Sequence, residues 1–460
     1  MREPPSSPAK SNLAPRDLTE GSTIRNLWVL SWPMLINNTL NALGPTIDMI
    51  WVGKLGASAI AGVGISGLAV MVINSLIAGL FTGTIALVAW HIGAKDEQGA
   101  NRAAQQAFII GLAFSIFIAL IGVFLSVPFL RSLGVDPAVV DEGATYLRIQ
   151  LIGIVTMTIL QAAQSIIQAS GDAVQPLMIS VGYRLLQVVL CPALVFGWGF
   201  LPRLEVSGAS LSNVITQGLG AALALFILFS GRTRITLTLR NFRFDGKMIW
   251  RTVKIGIPAS FSFMQRSIAE LILMWFITPF GTLAVAAQSV SQRVDQFLQN
   301  LSGGLGNAAG ILAAQNMGAG RPDRAARTGW LAVILATAVS FVCIIVIWFW
   351  INPILSIFTQ DSEVIDIAAN FLRISIVSYL VWGLVVSLSL VLNGVGDTMV
   401  QMLTNLLTMV FVQLLLAYFL SRYTDLGVYG IRWAVVIGIV MRAAIYTVYF
   451  KMGRWKNRRI

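Results

Sequence analysis

Residues 328–352 read TGWLAVILATAVSFVCIIVIWFWIN, an unbroken run without one charged side chain. A helix needs about 20 mostly apolar residues to cross the hydrocarbon core of a bilayer. This stretch is long enough, and it is not alone. Eleven more of its kind flank it, at roughly 27–52, 57–90, 103–128, 143–169, 175–199, 207–230, 253–278, 283–313, 366–393, 400–421 and 428–450. The composition agrees. Of 460 residues, 56% are hydrophobic and 11% charged, where a soluble domain carries about 25% charged residues. So little polar surface cannot cover a globule of this size. The chain reads as an all-α polytopic membrane protein with twelve transmembrane helices.

The charge excess has a topological reading. Lys and Arg total 32 against 20 Asp and Glu, which on a soluble chain would suggest a nucleic-acid partner. Here the basic residues lie between apolar runs. With the amino terminus inside, cytoplasmic segments hold 21 of the 32, while Lys54, Arg131, Arg203 and Arg422 alone fall in the opposite loops. The positive-inside rule therefore places both termini in the cytoplasm of a multi-pass cell (inner) membrane protein. No nucleic-acid partner is expected. Cys191 and Cys343 sit inside apolar stretches, so no disulfide framework follows. The single histidine, His91, cannot build a metal site and reads as interfacial. Residues 1–26 are polar and lack the apolar core of a signal peptide. They read as a loose tail, with residues 1–23 expected to stay disordered.

An internal repeat organises the spans. At a constant offset of 225 residues, Pro33 matches Pro258, Gly56 matches Gly281, and Gly93-Ala94 matches Gly318-Ala319. Arg102 matches Arg327, Asp136 and Asp141 match Asp361 and Asp366, Leu147-Arg148-Ile149 matches Leu372-Arg373-Ile374, and Gly171-Asp172 matches Gly396-Asp397. Composition alone would not hold polar loop residues in one register for so long. Each half has six spans, so the halves share one orientation. They form two six-helix lobes, 27–230 and 253–450, related by a pseudo-two-fold axis along the membrane normal. The basic stretch 231–252 links them, a second basic tail runs from 451 to 460, and a solute route is expected at the lobe interface.

Four segments carry a resemblance to a known family. They are SWPMLINNTLNALGPTIDMIWVGKLGASAIAGVG (31–64), HIGAKDEQGANRAAQQA (91–107), SIIQASGDAVQPL (165–177) and VLNGVGDTMVQ (391–401). In order and spacing the chain resembles the multidrug and toxic compound extrusion (MATE) transporters from about residue 24 to 450. The resemblance implies a central cleft and export of organic solutes, expected to be amphipathic cations, driven by inward Na⁺ or proton flow. No cofactor beyond the coupling ion is implied. It also makes Pro33, which can kink the first span, and Asp48 parts of the cation-linked conformational change.

The residues of the first span support an inward polar face on their own. Asn37, Asn41, Gly44 and Asp48 follow i, i+4, i+7, i+11, one side of a helix. Polar groups on one face of a membrane helix turn away from lipid, although an interfacial carboxylate is the alternative for Asp48. The resemblance places partners for Asp48 at Gln187, Cys191 and Asn213. Where relatives with a Na⁺ site have Asn and then Asp before a proline, this chain has Gln187 and Cys191 before Pro192. A thiol is a poor ligand for a hard cation, which favours proton coupling. Arg184 either faces a wet cavity or snorkels to the cytoplasm, and its depth argues against a direct pair with Asp48. Gln161, Gln164 and Gln168 share a face and either line the cleft or bridge helices.

The second half has its own ionisable groups. Arg266 and Glu270 are one turn apart in span 7. Gln288, Gln292 and Gln296 stack in span 8, with Arg293 and Asp295 beside them. At comparable depths, Arg266, Glu270, Arg293 and Asp295 are expected to form one coupled network facing the lobe interface, serving either transport or the cohesion of spans 7 and 8. A Gly-rich phosphate loop followed by Lys and Ser or Thr is absent, and no nucleophile–base pair lies in the spans, so an enzyme is not expected. The rival transport reading is a flippase for lipid-linked glycans or other anionic lipids, which would want a cationic cleft.

Overall fold

The computed structural model describes residues 17–132, 137–199, 201–231, 233–238 and 242–458. Residues 1–16, Asp136 and parts of the 231–252 linker lie outside the described residues. Twelve long helices follow one another: α1 (Thr23–Val52), α2 (Ala57–Gly93), α3 (Glu97–Ser132), α4 (Pro137–Ala169), α5 (Val174–Phe196), α6 (Glu205–Phe229), α7 (Gly246–Ile277), α8 (Thr282–Gly318), α9 (Pro322–Ser356), α10 (Ser362–Gly394), α11 (Thr398–Tyr423) and α12 (Val428–Met452). No strand occurs among the described residues. Nine of the twelve are long and apolar enough to cross a membrane. The exceptions are α1, α7 and α8, which carry the polar stripes described above.

Several helices overrun the apolar cores that announce them, and side-chain caps set the starts of three. Ser22 accepts the Arg25 N–H at the start of α1, and Asp245 accepts from Lys247 and Met248 at the start of α7. Asp361 accepts from Glu363 and Val364 ahead of α10. Each such cap satisfies N–H groups that the first turn leaves unpaired. Asp172 does the same for Val174 and Gln175. Its repeat mate Asp397 does not. It is buried, and it binds Tyr449 Oη at 2.5 Å and Arg458 at 2.9 Å, tying the carboxyl-terminal tail to the bundle.

The packing divides the helices into two lobes joined at one end. One large apolar core mixes both halves: Leu27, Leu30, Met34 and Ala86–Ile92 with Ala308–Ala314 and Met317. All of these lie toward the end that carries the linker and both tails, called here the basic end. The remaining cores stay within one lobe, Val52, Ala59, Val63, Cys191 and Val206 in the first and Ala287, Val294, Ile347 and Phe371 in the second. The lobes are thus sealed together at the basic end and share no core toward the other.

The seal has the symmetry of the repeat. A Cβ on Gly93 would collide with the Gln315 backbone, and one on Gly318 would collide with the backbone of Trp90. These positions exchange under the 225-residue offset. So do Gly79, which faces Ser260, and Gly304, which faces Leu35. Glycine is needed where backbones approach this closely. At the turn after α2, His91 Nδ1 lies 2.9 Å from Asp96, which also accepts the Gly99 N–H. The Gly99 amide, ahead of the histidine, holds the Asp96 carboxyl below its usual range. His91 therefore belongs to a turn at the basic end.

The amino-terminal segment corrects one expectation. Residues 17–22 pack rather than hang free, and α1 begins at Thr23, inside the stretch expected to be tail. Leu18 and Thr19 are buried, and Asn26 donates to the carbonyls of Leu18 and Glu20. From the second lobe, Arg321 donates to Thr19 O and Arg324 to Gly21 O, at 2.7 and 2.8 Å. The composition of the tail hid this because the contacts run through backbone carbonyls, which every residue type has. Leu18→Ala should destabilise the protein by about 2 kcal/mol, the low end for a buried leucine. Thermal unfolding in detergent would show it as a lower midpoint, and an unchanged midpoint would mean the segment contributes no packing energy.

Candidate functional site

Asp48 lies one turn from the end of α1 and is 1% exposed. Around it the first lobe arranges only hydrogen donors. Gln187 Nε2 donates to Asp48 Oδ1 at 3.0 Å, and Asn213 Nδ2 donates to Oδ2. The Tyr146 hydroxyl stands 3.4 Å from Oδ2, and Cys191 Sγ stands 3.9 Å from Oδ1. Asp48, Gln187, Cys191 and Asn213 are therefore brought together from α1, α5 and α6, and α4 adds Tyr146. The amide oxygens turn elsewhere. Gln187 Oε1 accepts from Arg184, while Asn213 Oδ1 accepts from Gln187 at 3.0 Å and Gln217 at 3.3 Å.

Arg184 is buried within the lobe and does not snorkel. Its guanidinium reaches Gln187 and the Asn41 carbonyl, and it stacks 4.9 Å from the Tyr183 ring centroid. Gly44 makes the room: any Cβ there would strike the guanidinium. Arg184 makes no ion pair with Asp48 among the described residues, yet depth does not separate the two as expected, because both bond the side chain of Gln187. Asn41 accepts from the Tyr183 hydroxyl at 2.6 Å. Asn37 is buried and its Oδ1 has no partner. Gln164 donates to Ser180 across the α4–α5 contact, so it is a helix tie and not a lining residue of the cleft. Pro33 lies within a continuous α1 and is buried.

The second lobe rearranges the expected network. Arg266 and Glu270 pair at 3.2 Å. Asp295 does not join them through Arg293. It takes Arg432 of α12 at 3.0 Å and the Tyr379 hydroxyl of α10 at 2.5 Å. Arg293 is exposed and makes no ion pair among the described residues. The reason is helical geometry, since two residues turn the chain by about 200° and put Arg293 and Asp295 on opposite faces. Arg266, Glu270, Gln288, Gln292, Asp295 and Gln296 do line one cavity, of about 610 Å³ with its mouth. Trp382, Arg432 and Arg442 complete its wall.

Arg442 and Tyr146 escaped the sequence reading. Arg442 Nε donates to Thr408 Oγ1 at 3.0 Å. Thr408 sits in the π-helical stretch Leu406–Leu414 of α11, a distortion that often accompanies functional positions. Among the described residues, no group of three His, Cys, Asp or Glu side chains could hold a metal.

Comparison with known proteins bears on this geometry. The MatE family model matches residues 33–193 and again 258–419, once in each half. A probable multidrug resistance protein of Bacillus subtilis, YoeA, is 25% identical over 95% of this chain and 96% of its own length. A second from the same organism, YpnP, is 24% identical over 96% of this chain and 98% of its own. Among solved structures, an outward-facing multidrug resistance MATE family transporter of the MOP superfamily superposes with a TM-score of 0.89 at 24% identity, covering 95% of this chain and 96% of the other.

Proposed function

Because the chain belongs to the MatE family, and so is a multi-pass membrane transporter rather than an enzyme, we propose that it exports organic solutes by proton antiport across the cell membrane, with Asp48 carrying the proton. One observation carries the choice of ion: the amide oxygens beside Asp48 accept from other side chains instead of converging with its carboxylate on one point. A hard cation such as Na⁺ needs several oxygen ligands converging on one point. Here the oxygens of Gln187 and Asn213 are taken by Arg184, Gln187 and Gln217. The guanidinium next door repels a second cation. A proton binds the carboxylate itself and needs no such shell, although the O–H it creates displaces one of the donors now held there.

Position explains how the proton is felt across the molecule. One face of α1 holds Asp48 against α5 and α6, while Leu35, two residues past Pro33, abuts Gly304 of α8 in the other lobe. Protonating Asp48 removes an acceptor that Gln187 and Asn213 share, which loosens α1 from its own lobe. Its opposite face is then free to follow α8. Alternating access follows from that transfer of grip.

Proteoliposomes under separately imposed gradients provide the test. A proton gradient alone should drive solute efflux, and a Na⁺ gradient alone should not. Cys191→Asp, which places a second carboxylate beside Asp48, should add a Na⁺ response. Na⁺-driven efflux by the unaltered protein would overturn proton coupling. A second reading, a flippase for lipid-linked glycans or other anionic lipids, draws support from the arginines of the second-lobe cavity. Translocation of a labelled lipid without efflux of any soluble compound would establish it instead.

A further inference from the structure

We propose that the second-lobe cavity binds the acid head of an elongated aromatic organic anion, a carboxylate or phosphate monoester drawn from the aqueous phase, with Arg442 as its counter-ion. This deepens the exporter reading by naming the class and sign of the solute, the reverse of the amphipathic cation that the family resemblance implies.

Charge balance leads there. Three arginines and two carboxylates line the cavity. Arg266 is matched by Glu270 and Arg432 by Asp295. Arg442 is left over. It is 6% exposed, and among the described residues its one hydrogen bond goes to a threonine hydroxyl and its Nη2 meets no acceptor. A buried cation without a partner is costly, and a ligand acid would remove that cost with a forked, charge-assisted pair.

The rest of the wall fits the remainder of such a molecule. Arg432 is 4% exposed, and its Nε and Nη2 meet no acceptor either. It stands ten residues before Arg442 on α12, about 15 Å along the axis, which suits a polar group at the far end of a rod-shaped solute. Trp382 of α10 lines the same cavity, has an indole N–H without a partner among the described residues, and carries Arg266 at 5.6 Å from a ring centroid. Leu273, Met409, Val435 and Ile439 supply apolar contact.

The test measures binding without any gradient, using the full-length protein in phosphatidylcholine nanodiscs and calorimetry. The probes are 2-naphthoate and its cationic counterpart 2-naphthyltrimethylammonium. Naphthoate should bind saturably and at least about tenfold more tightly than the cation, the scale of one charge-assisted bond. Arg442→Gln should weaken it by a similar factor and Arg442→Lys by less. The preference of the unaltered protein decides the matter even if the variants fold poorly. Equal or tighter binding of the cation would overturn the proposal, as would full naphthoate affinity in folded Arg442→Gln. Displacement of naphthoate by phosphatidylglycerol in the nanodisc would also overturn it, assigning the site to a lipid phosphate. Anion binding that persists without proton-driven efflux would sink the antiport reading alone.

Discussion

Asp48→Asn should yield a folded protein that reaches the membrane and no longer concentrates any solute under a proton gradient. The amide has the shape of the carboxylate but does not titrate, so the step that loosens α1 has no trigger. It also turns an N–H toward a ring of donors: Gln187, Asn213, Tyr146 and Cys191 all point hydrogens at this position. One amide must rotate to restore a donor–acceptor match, and a mismatch left in place costs about 1–3 kcal/mol. The variant should therefore show a lower thermal midpoint along with the loss of coupled transport. Downhill efflux, if measurable, should be independent of external pH. Concentration of solute by Asp48→Asn against its gradient would remove Asp48 from the coupling step.

The second large effect is steric. Gly318→Val places side-chain atoms where the Trp90 carbonyl and the Ala94 amide already stand. Both neighbours are backbone, so neither can swing aside. Overpacking of this kind costs about 1–3 kcal/mol, and the upper part of that range, expected against rigid backbone, shifts the balance between sealed and parted lobes by about tenfold or more. Transport should fall to about a tenth or less, and hydrogen exchange should accelerate at residues 90–94 and 315–319. Gly93→Val, its symmetry mate, should behave alike. Gly64→Val provides the contrast, because nothing lies within 4 Å of a Cβ there. Equal transport by Gly318→Val and Gly64→Val would show that the glycine contact is not part of the cycle.

Much of this architecture was legible because membranes impose a simple code. Apolar length marks the helices, and the offset that pairs Gly93 with Gly318 also locates the two sides of the seal. Four of the five side chains of the Asp48 cluster, Asp48, Gln187, Cys191 and Asn213, could be named from one helical stripe and a family pattern. Tyr146 could not, since a lone tyrosine near the end of a span is as well explained by interfacial anchoring. The pairing of Asp295 with Arg432 spans 137 residues, and nothing local announces it. Sequence proximity suggested Arg293, and the turn of the helix put that side chain on the other face. Residues 17–22 illustrate a different limit, because a segment held by its carbonyls leaves no mark in side-chain chemistry.

The three helices too polar to count as spans have a consequence for how the protein is made. Each is rich in the groups that line the interior: Asn37, Asn41 and Asp48 in α1, Arg266 and Glu270 in α7, and the glutamines with Asp295 in α8. A segment of this kind partitions poorly into lipid on its own, since each charged residue near a helix centre costs about 2.5–3.5 kcal/mol at insertion. In the first half α1 is followed at once by α2, which is long and strongly apolar and can hold it in place. In the second half α7 and α8 emerge as a weak pair, and the next strongly apolar segment is α9. During synthesis the second lobe therefore waits for its third helix before its first two are secure. The same residues that give the transporter a polar interior make the middle of the chain its most vulnerable moment at the ribosome.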